Sequence, residues 1–357
     1  MTRSERTNEP AGDAAADLVA GFIREQPQAI TAAYTAIRAE LQARARPQEL
    51  DIALVGSGSS FNALTGQAPA FAAAAQCAVH VRGPGAFMVE LAAGHLRPSV
   101  AVVLSQSGAS VTSIEAARLA QKCGADVFRI TAEGASPFAQ LAPDTLVMPI
   151  GPEPIGPKTK GYAASLTALA ALADWIAGRS GKAPAVRSDL VEHCRMVAVS
   201  LADAIPDPDF VLVVGQRAHL GTALEASLKI SEMSGIPAAG IETEEALHGR
   251  LHGLTPRSLA IFIASNASEA HAAERAAAIM CDLGVTARIL GPAIEADVFR
   301  TPDSPIDPAA HELDSITAIV PFQWLAWALA RHRGLDPARM RYPGLSQRLA
   351  IKTGPPT

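Results

Sequence analysis

Residues 51–60 read DIALVGSGSS, and this stretch decides the fold. The apolar run Ile52 to Val55 has the length of a buried strand. It ends in Gly56-Ser57-Gly58-Ser59-Ser60, and an alanine-rich helical stretch follows from Phe61 to Ala75. Strand, glycine turn and helix in that order open a βαβ unit. The pattern recurs on both sides. VAVVLSQSG at 100–108 is a strand and turn, with a helix through Ile114 to Lys122. ADVFRITAEG at 125–134 and TLVMPIG at 145–151 are further strands, and GYAASLTALAALADWIAG at 161–178 is a long apolar helix. Upstream, helical spacing from about Ala14 to Arg46 predicts one or two lead-in helices, and residues 1–12 read as a polar tail. Alternating strands and helices predict an α/β fold with a mainly parallel sheet.

After the polar stretch GRSGKAPAVRSDL at 178–190 the pattern starts again, with strands in DFVLVVG, SLAIFIAS and VTARILG. Leu54, Leu104 and Ile130 are matched by Val213, Ile263 and Ile289, each pair 159 residues apart (213−54, 263−104, 289−130). Three equal offsets predict an internal duplication of one α/β unit. The copies differ at their turns. The first keeps glycine and serine; the second has VVGQRAHLG and IASNASEA. Ligands of open parallel sheets bind at the carboxyl ends of strands, so the first copy is expected to hold the site.

Composition narrows the function. Hydrophobic residues are 49% of 357, enough for two cores, and charged residues are 18%. The net charge of −5 and the lack of a Lys/Arg-rich run argue against nucleic acid as a partner. The start has no apolar signal segment, and no apolar run reaches the length of a membrane span, so a cytoplasmic protein with no membrane partner is expected. The four cysteines, Cys77, Cys123, Cys194 and Cys281, are too far apart for a zinc site or a disulfide framework. No metal and no cofactor are expected.

Two turns carry the chemistry. A glycine-serine turn before a helix offers hydroxyls and unpaired backbone N–H groups at the positive end of the helix dipole. Ser59 and Ser60, with Gly58, form one such turn; Ser105, Gln106, Ser107 and Ser110 form the other. Neither contains a basic residue, so neutral donors are expected to dominate. Together they point to one phosphate. The GK[ST] ending of a P-loop is absent, and so is GxGxxG, which argues against nucleoside triphosphate or NAD-linked chemistry. In the second copy, Glu225, Lys229 and Glu232 share a helical face by their spacing, and Glu244-Glu245-Ala246-Leu247-His248-Gly249 follows.

GSGSSFNA, SQSGAS and the duplicated unit resemble the SIS (sugar isomerase) domain proteins. The resemblance is to the isomerase half of glutamine:fructose-6-phosphate amidotransferase and to its stand-alone relatives, the fructosamine-phosphate deglycases and SIS-type glucosamine-6-phosphate deaminases. It covers about residues 20–352. It implies two tandem SIS domains, each a flavodoxin-like three-layer unit with a mainly parallel sheet flanked by helices. The expected boundaries are 1–46 for tail and lead-in helices, 47–185 and 186–340 for the two domains, and 341–357 for a C-terminal tail closing over the site. No glutaminase region and no N-terminal nucleophile cysteine accompany it, so glutamine hydrolysis in cis is not expected.

The resemblance also implies residue roles. Ser59, Ser60, Ser105, Gln106, Ser107 and Ser110 correspond to the phosphate-binding positions. Glu153 to Lys160 resembles a stretch lining the same site, which brings in Thr159 and Lys160. ALEASLKISE at 223–232 followed by EEALHG at 244–249 matches the helix and turn whose second glutamate moves a proton between C1 and C2, and whose histidine opens the ring. Those roles fall on Glu232 and His248, with Glu225 beside them, while His252 reads as structural. In relatives the histidine reaches a neighbouring subunit, which implies a homodimer. Two departures stand out. HGR replaces HGP at Arg250, and Gln347 occupies the place of a lysine that forms a Schiff base in the synthase. An amide is no such nucleophile. Lys352, five residues on, is expected to point elsewhere. The implied reaction is therefore isomerisation with deamination or deglycation of an amine-bearing hexose 6-phosphate. A sugar-phosphate-binding regulator without turnover, or a synthase-type isomerase, is the alternative.

Overall fold

The computed structural model describes residues 13–292, 294–295, 297–304 and 312–353. The polar tail read at 1–12, and residues 354–357 of the C-terminal segment, lie outside them. In chain order the first half runs α1 (Asp13–Arg24), α2 (Gln26–Gln42), β1 (Ile52–Val55), α3 (Ser59–Ala75), β2 (Val79–Arg82), α4 (Pro84–Ala93), β3 (Val100–Leu104), α5 (Val111–Lys122), β4 (Asp126–Thr131), β5 (Leu146–Val147) and α6 (Lys160–Ile176). The second runs α7 (Ser188–Ala204), β6 (Phe210–Val214), α8 (Ala218–Ser234), β7 (Ala238–Ile241), α9 (Thr243–Leu247), β8 (Ser258–Ile263), α10 (Ala267–Asp282), β9 (Thr286–Leu290), α11 (Ser315–His332) and α12 (Leu345–Arg348). Two parallel sheets result, ordered β2-β1-β3-β4-β5 and β7-β6-β8-β9. Among the described residues no helix is long and apolar enough to cross a membrane.

The repeat read from hydrophobic runs reappears in the register. Leu54 pairs with Val81 and Val102, and Val213 pairs with Gly240 and Ile261, so each partner is displaced by 159 (240−81, 261−102). The next strand slips by one: Leu104 faces Ile130, whereas Ile263 faces Leu290 (290−130 is 160). The sequence pairing of Ile130 with Ile289 is thus one residue out, and Leu104 and Ile263 are the last residues of their strands. Helices α3 and α8 start and stop 159 apart (218−59, 234−75). Both are entered through a residue with positive φ, Gly58 (φ 56, ψ −132) and Arg217 (φ 53, ψ −122).

Alternate strand residues face opposite layers. Ala53 and Val55 pack outward with Phe87 of α4 and Ala117 of α5, and Leu212 and Val214 pack outward with Ala270 and Ala277 of α10. Ile52, Leu54, Val211 and Val213 face inward and meet in one core, filled by Tyr162, Leu166, Phe322 and Trp324. The halves are therefore joined by a shared interior. At its centre α3 and α8 touch backbone to backbone. A Cβ on Gly221 would stand 2.4 Å from the Gly66 nitrogen and 2.5 Å from the Asn62 carbonyl oxygen.

The entry turn offers a test. An L-residue in the Gly58 conformation costs about 1–3 kcal/mol. Gly58→Ala is expected to lower stability by about that much in urea unfolding, and Arg217→Gly to raise it by up to about 1 kcal/mol, because relief of strain outweighs the added unfolded-state entropy. Equal effects of opposite design, or stabilisation by Gly58→Ala, would contradict this account.

Candidate active site

In the first sheet the strand order reverses between β1 and β3, and both serine turns leave the carboxyl ends of those strands. This is the switch point where open α/β sheets leave a crevice. A cavity of about 360 Å³ occupies it. Gly58, Ser59 and Ser60 line one side, at the first turn of α3; Ser105, Gln106, Ser107 and Ser110 line the other, at the entry to α5. Ser110 caps α5, its Oγ accepting from the Ser113 N–H at 3.3 Å and from the Ser113 hydroxyl at 3.0 Å. The two turns therefore present hydroxyls and helix-start N–H groups to one space.

The opposite wall comes from α8. Glu225, Lys229 and Glu232 do fall on one face, and that face is buried against α3. Lys229 is fully buried; its Nζ lies 3.4 Å from Glu225 Oε1, donates to the Ser59 hydroxyl at 3.4 Å, and pairs closely with Glu232 Oε2. Burial by itself disfavours the ammonium, but the two carboxylates outweigh it and raise the pKa of Lys229 above its ordinary value. Glu232 lines the cavity and is 22% exposed. Glu225 is 0% exposed and sits behind Lys229, where Asn62 Nδ2 donates to its Oε2 at 2.8 Å. Burial pushes Glu225 up to about 7, against the pull of Lys229 and the Asn62 hydrogen bond. Glu225 thus reaches the cavity only through Lys229.

Other expected site residues stand elsewhere. Glu153 caps α6: its Oε1 accepts from Thr159 N–H (2.7 Å), Thr159 Oγ1 (2.9 Å) and Lys160 N–H (3.2 Å), and its Oε2 from Gly161 N–H (3.0 Å). Thr159 is buried in that cap, and Lys160 turns away to Glu25 Oε2 at 2.5 Å, over the Phe22 ring. Neither lines the cavity. His248 follows α9 on an exposed turn, 76% exposed, with Nδ1 2.8 Å from the Glu244 carbonyl, and it too is off the cavity of its own chain. Gln347 lies on an adjoining cavity.

Two lysines correct the sequence reading. Lys352, expected to point elsewhere, lines the cavity. Its segment pairs with the second serine turn: Ser110 bridges Lys352, Val111 N–H donates to the Ile351 carbonyl at 3.3 Å, and Thr353 N–H to the Ala109 carbonyl at 2.9 Å. Lys158 also lines it, donating to the Glu153 carbonyl. Its pKa is lowered, mainly by burial and further by Lys352. Beside the neutral donors of the two turns, the lining thus also includes charge from two segments distant in sequence.

The Glu225 pKa has a consequence for stability. A folded-state value near 7, above the ordinary 4.5, makes the native state hold this proton more tightly than the unfolded chain. The stability it contributes is full below about 4.5 and is lost as pH rises through about 7. Urea unfolding from about pH 5 to about pH 8 should show wild type losing stability relative to Glu225→Gln, by on the order of a few kcal/mol. No pH-dependent difference over this range would mean that Lys229 keeps Glu225 charged throughout.

Residues 47–174 match the SIS domain family model. The chain is 27% identical over 250 residues to a glutamine–fructose-6-phosphate aminotransferase (isomerizing) of Streptococcus mutans, covering 66% of this chain and 41% of that protein. It spans about two fifths of the length of the curated relatives it matches. Among solved structures, a putative phosphosugar isomerase from Clostridium difficile superimposes with a TM-score of 0.74 at 20% identity, covering 94% of this chain and 99% of that one. A glucosamine-6-phosphate deaminase from Thermotoga maritima gives 0.68 at 22% identity, covering 89% and 98%. The structural likeness carries the fold, and the SIS domain match falls on residues 47–174, the part of the chain that holds both serine turns.

Proposed function

We propose that the chain is an amino-sugar-phosphate isomerase of the deaminase or deglycase type, acting on a hexose 6-phosphate. The observation that carries this reading is the convergence of two serine turns and the Lys229–Glu232 pair on one cavity. The phosphate sits among Ser59, Ser60, Ser105, Gln106, Ser107 and Ser110, where helix-start N–H groups and hydroxyls favour an anion. The sugar then extends toward Glu232. As a carboxylate, Glu232 takes a proton from one of the two adjacent carbons and returns it to the other. Lys229 fixes the position of Glu232, and its ammonium faces the negative charge that builds on the sugar oxygen or nitrogen during that transfer. Lys158 and Lys352 add positive charge at the rim of the same cavity.

The reading extends to the assembly. The halves act as two tandem SIS domains with boundaries near 47–185 and 186–340, the first holding phosphate and the second the acid and base. His248, exposed and away from the cavity of its own chain, suits a role at a second copy's site, so the working form is a homodimer. Such an enzyme needs no metal or redox cofactor for proton transfer, and it works in the cytoplasm.

The test is ammonia or amine release from glucosamine 6-phosphate and from a small panel of fructose-amine 6-phosphates. Wild type is expected to turn over at least one of them. Glu232→Gln should lower kcat by about 10²–10⁴ while the sugar phosphate still raises the melting temperature. Ser107→Ala should weaken binding roughly tenfold through a lost charge-assisted hydrogen bond. Stabilisation by sugar phosphates without any release would favour a binding protein instead.

A further inference from the structure

Asn62 of α3 and Glu225 of α8 meet where the two helices cross, and the duplication makes this contact one-sided. Asn62 corresponds to Gly221, and Gly66 to Glu225, each pair 159 residues apart (221−62, 225−66). The counterpart of the Asn62–Glu225 contact is therefore the Gly221–Gly66 contact, where the backbones touch. One side of the crossing has no side chains. The other carries an amide on a carboxylate.

Asn62 is buried, and its Nδ2 donates to Glu225 Oε2 at 2.8 Å. Glu225 Oε1 has no hydrogen-bond partner among the described residues, and Lys229 Nζ stands 3.4 Å from it. A hydrogen bond donated to a carboxylate favours its ionised form. The other groups facing Glu225 are Lys229 and Glu232 on its own helix, Ser59 on α3 and Tyr162 on α6. Lys229 and Ser59 favour the charged form as Asn62 does, and Glu232 opposes it. Tyr162 stays a neutral phenol, its pKa raised by burial and by Glu225. With burial pushing Glu225 up to about 7, the two forms are close in energy at neutral pH, and one hydrogen bond decides between them.

The charge on Glu225 reaches the cavity because Lys229 is shared. An ionised Glu225 draws the ammonium back toward the crossing and loosens its hold on Glu232. A protonated Glu225 lets go, and Lys229 closes on Glu232 alone. A carboxylate gripped that way takes a proton from carbon less readily. Asn62 itself lies behind the cavity wall, so it acts only through these two residues.

We propose that Asn62 is a positioning residue for proton transfer: by holding Glu225 Oε2 it keeps Glu225 as the second anchor of Lys229, and so leaves Glu232 free to act. This deepens the phosphosugar reading and rests on it.

Infrared titration of the protein without ligand reads the first link. The band of the protonated Glu225 carboxyl, identified by its absence in Glu225→Gln, is expected to fade in wild type with a midpoint of about 7. Asn62→Leu should raise that midpoint by about one pH unit, the worth of one hydrogen bond to a charged group. Asn62→Ala removes the donor without adding bulk and should raise it too, which covers the case in which leucine distorts the crossing. The second link is read in the pH profile of kcat/KM for amine release from glucosamine 6-phosphate and the fructose-amine 6-phosphates, which reports the free enzyme. Its limb that rises with pH should move up together with the infrared midpoint. At about pH 7 the variant should lose about fivefold, through kcat, with KM within about twofold, and at about pH 9 most of the loss should be recovered. Damage to packing alone would lower the rate alike at every pH. An infrared midpoint that stays put, or one that moves while the rising limb does not, overturns the proposal and leaves the phosphosugar reading standing. If wild type releases no amine from any of these sugars, the phosphosugar reading fails and takes the proposal with it.

Discussion

The structure depends on the crossing of α3 and α8. Gly221 lets the two backbones meet, because a Cβ there would stand 2.4 Å from the Gly66 nitrogen. α3 begins in the first serine turn, and α8 carries Glu225, Lys229 and Glu232. Their crossing therefore fixes the distance between the serine turns and Glu232, the group proposed to move the proton. A wider crossing would separate Lys229 from Ser59, and the cavity would lose one wall. Proton transfer is sensitive to such displacements, since misplacing a reacting group by about 1 Å can cost about 10²-fold in rate.

The polar chain across this crossing is costly. Asn62, Glu225, Lys229 and Glu232 form a run of contacts, with Glu225 and Lys229 wholly buried. Removing charges from water costs several kcal/mol per ion, and well-packed apolar residues would serve stability as well or better. Glu225 Oε1 has no hydrogen-bond partner, so the site is not optimised for stability. The arrangement makes sense as positioning. Glu225 holds Lys229 from behind, Lys229 holds Glu232 at the cavity, and a single missing member would leave a buried charge uncompensated.

What the sequence made legible is what depends on local pattern. The strand–turn–helix units follow from period and glycine placement, and the 159-residue repeat survives in two of the strand registers because β1, β2 and β3 have close counterparts. The serine turns face one cavity because both follow strands that are neighbours. Spacing along α8 put Glu225, Lys229 and Glu232 on one face, but it could not tell which of them is sealed inside; that is set by where α3 crosses. Glu153 and Thr159 read as lining because their segment is near the site, whereas their hydrogen bonds serve the α6 start. Lys352 was unreadable for another reason. A one-residue bridge to Ser110, made by a segment 242 residues away (352−110), has no local signature.

The two copies also differ in a way that explains why one crevice is open. In the second half the equivalent space beyond β6 and β8 is crossed by the chain that leads into α11. Leu313 N–H donates to the Ser265 carbonyl at 2.9 Å, and the Leu313 carbonyl accepts from buried His219 at 3.0 Å. Ser265 N–H is in turn held by Glu269 at 2.7 Å. The donors that would meet an anion are thus spent on the protein itself. Arg217 still adopts the conformation of Gly58, so the backbone of the turn has outlived the small residue that made it easy. Filling the second crevice with backbone and a histidine extends the shared core against which α8 packs, while the first crevice stays open.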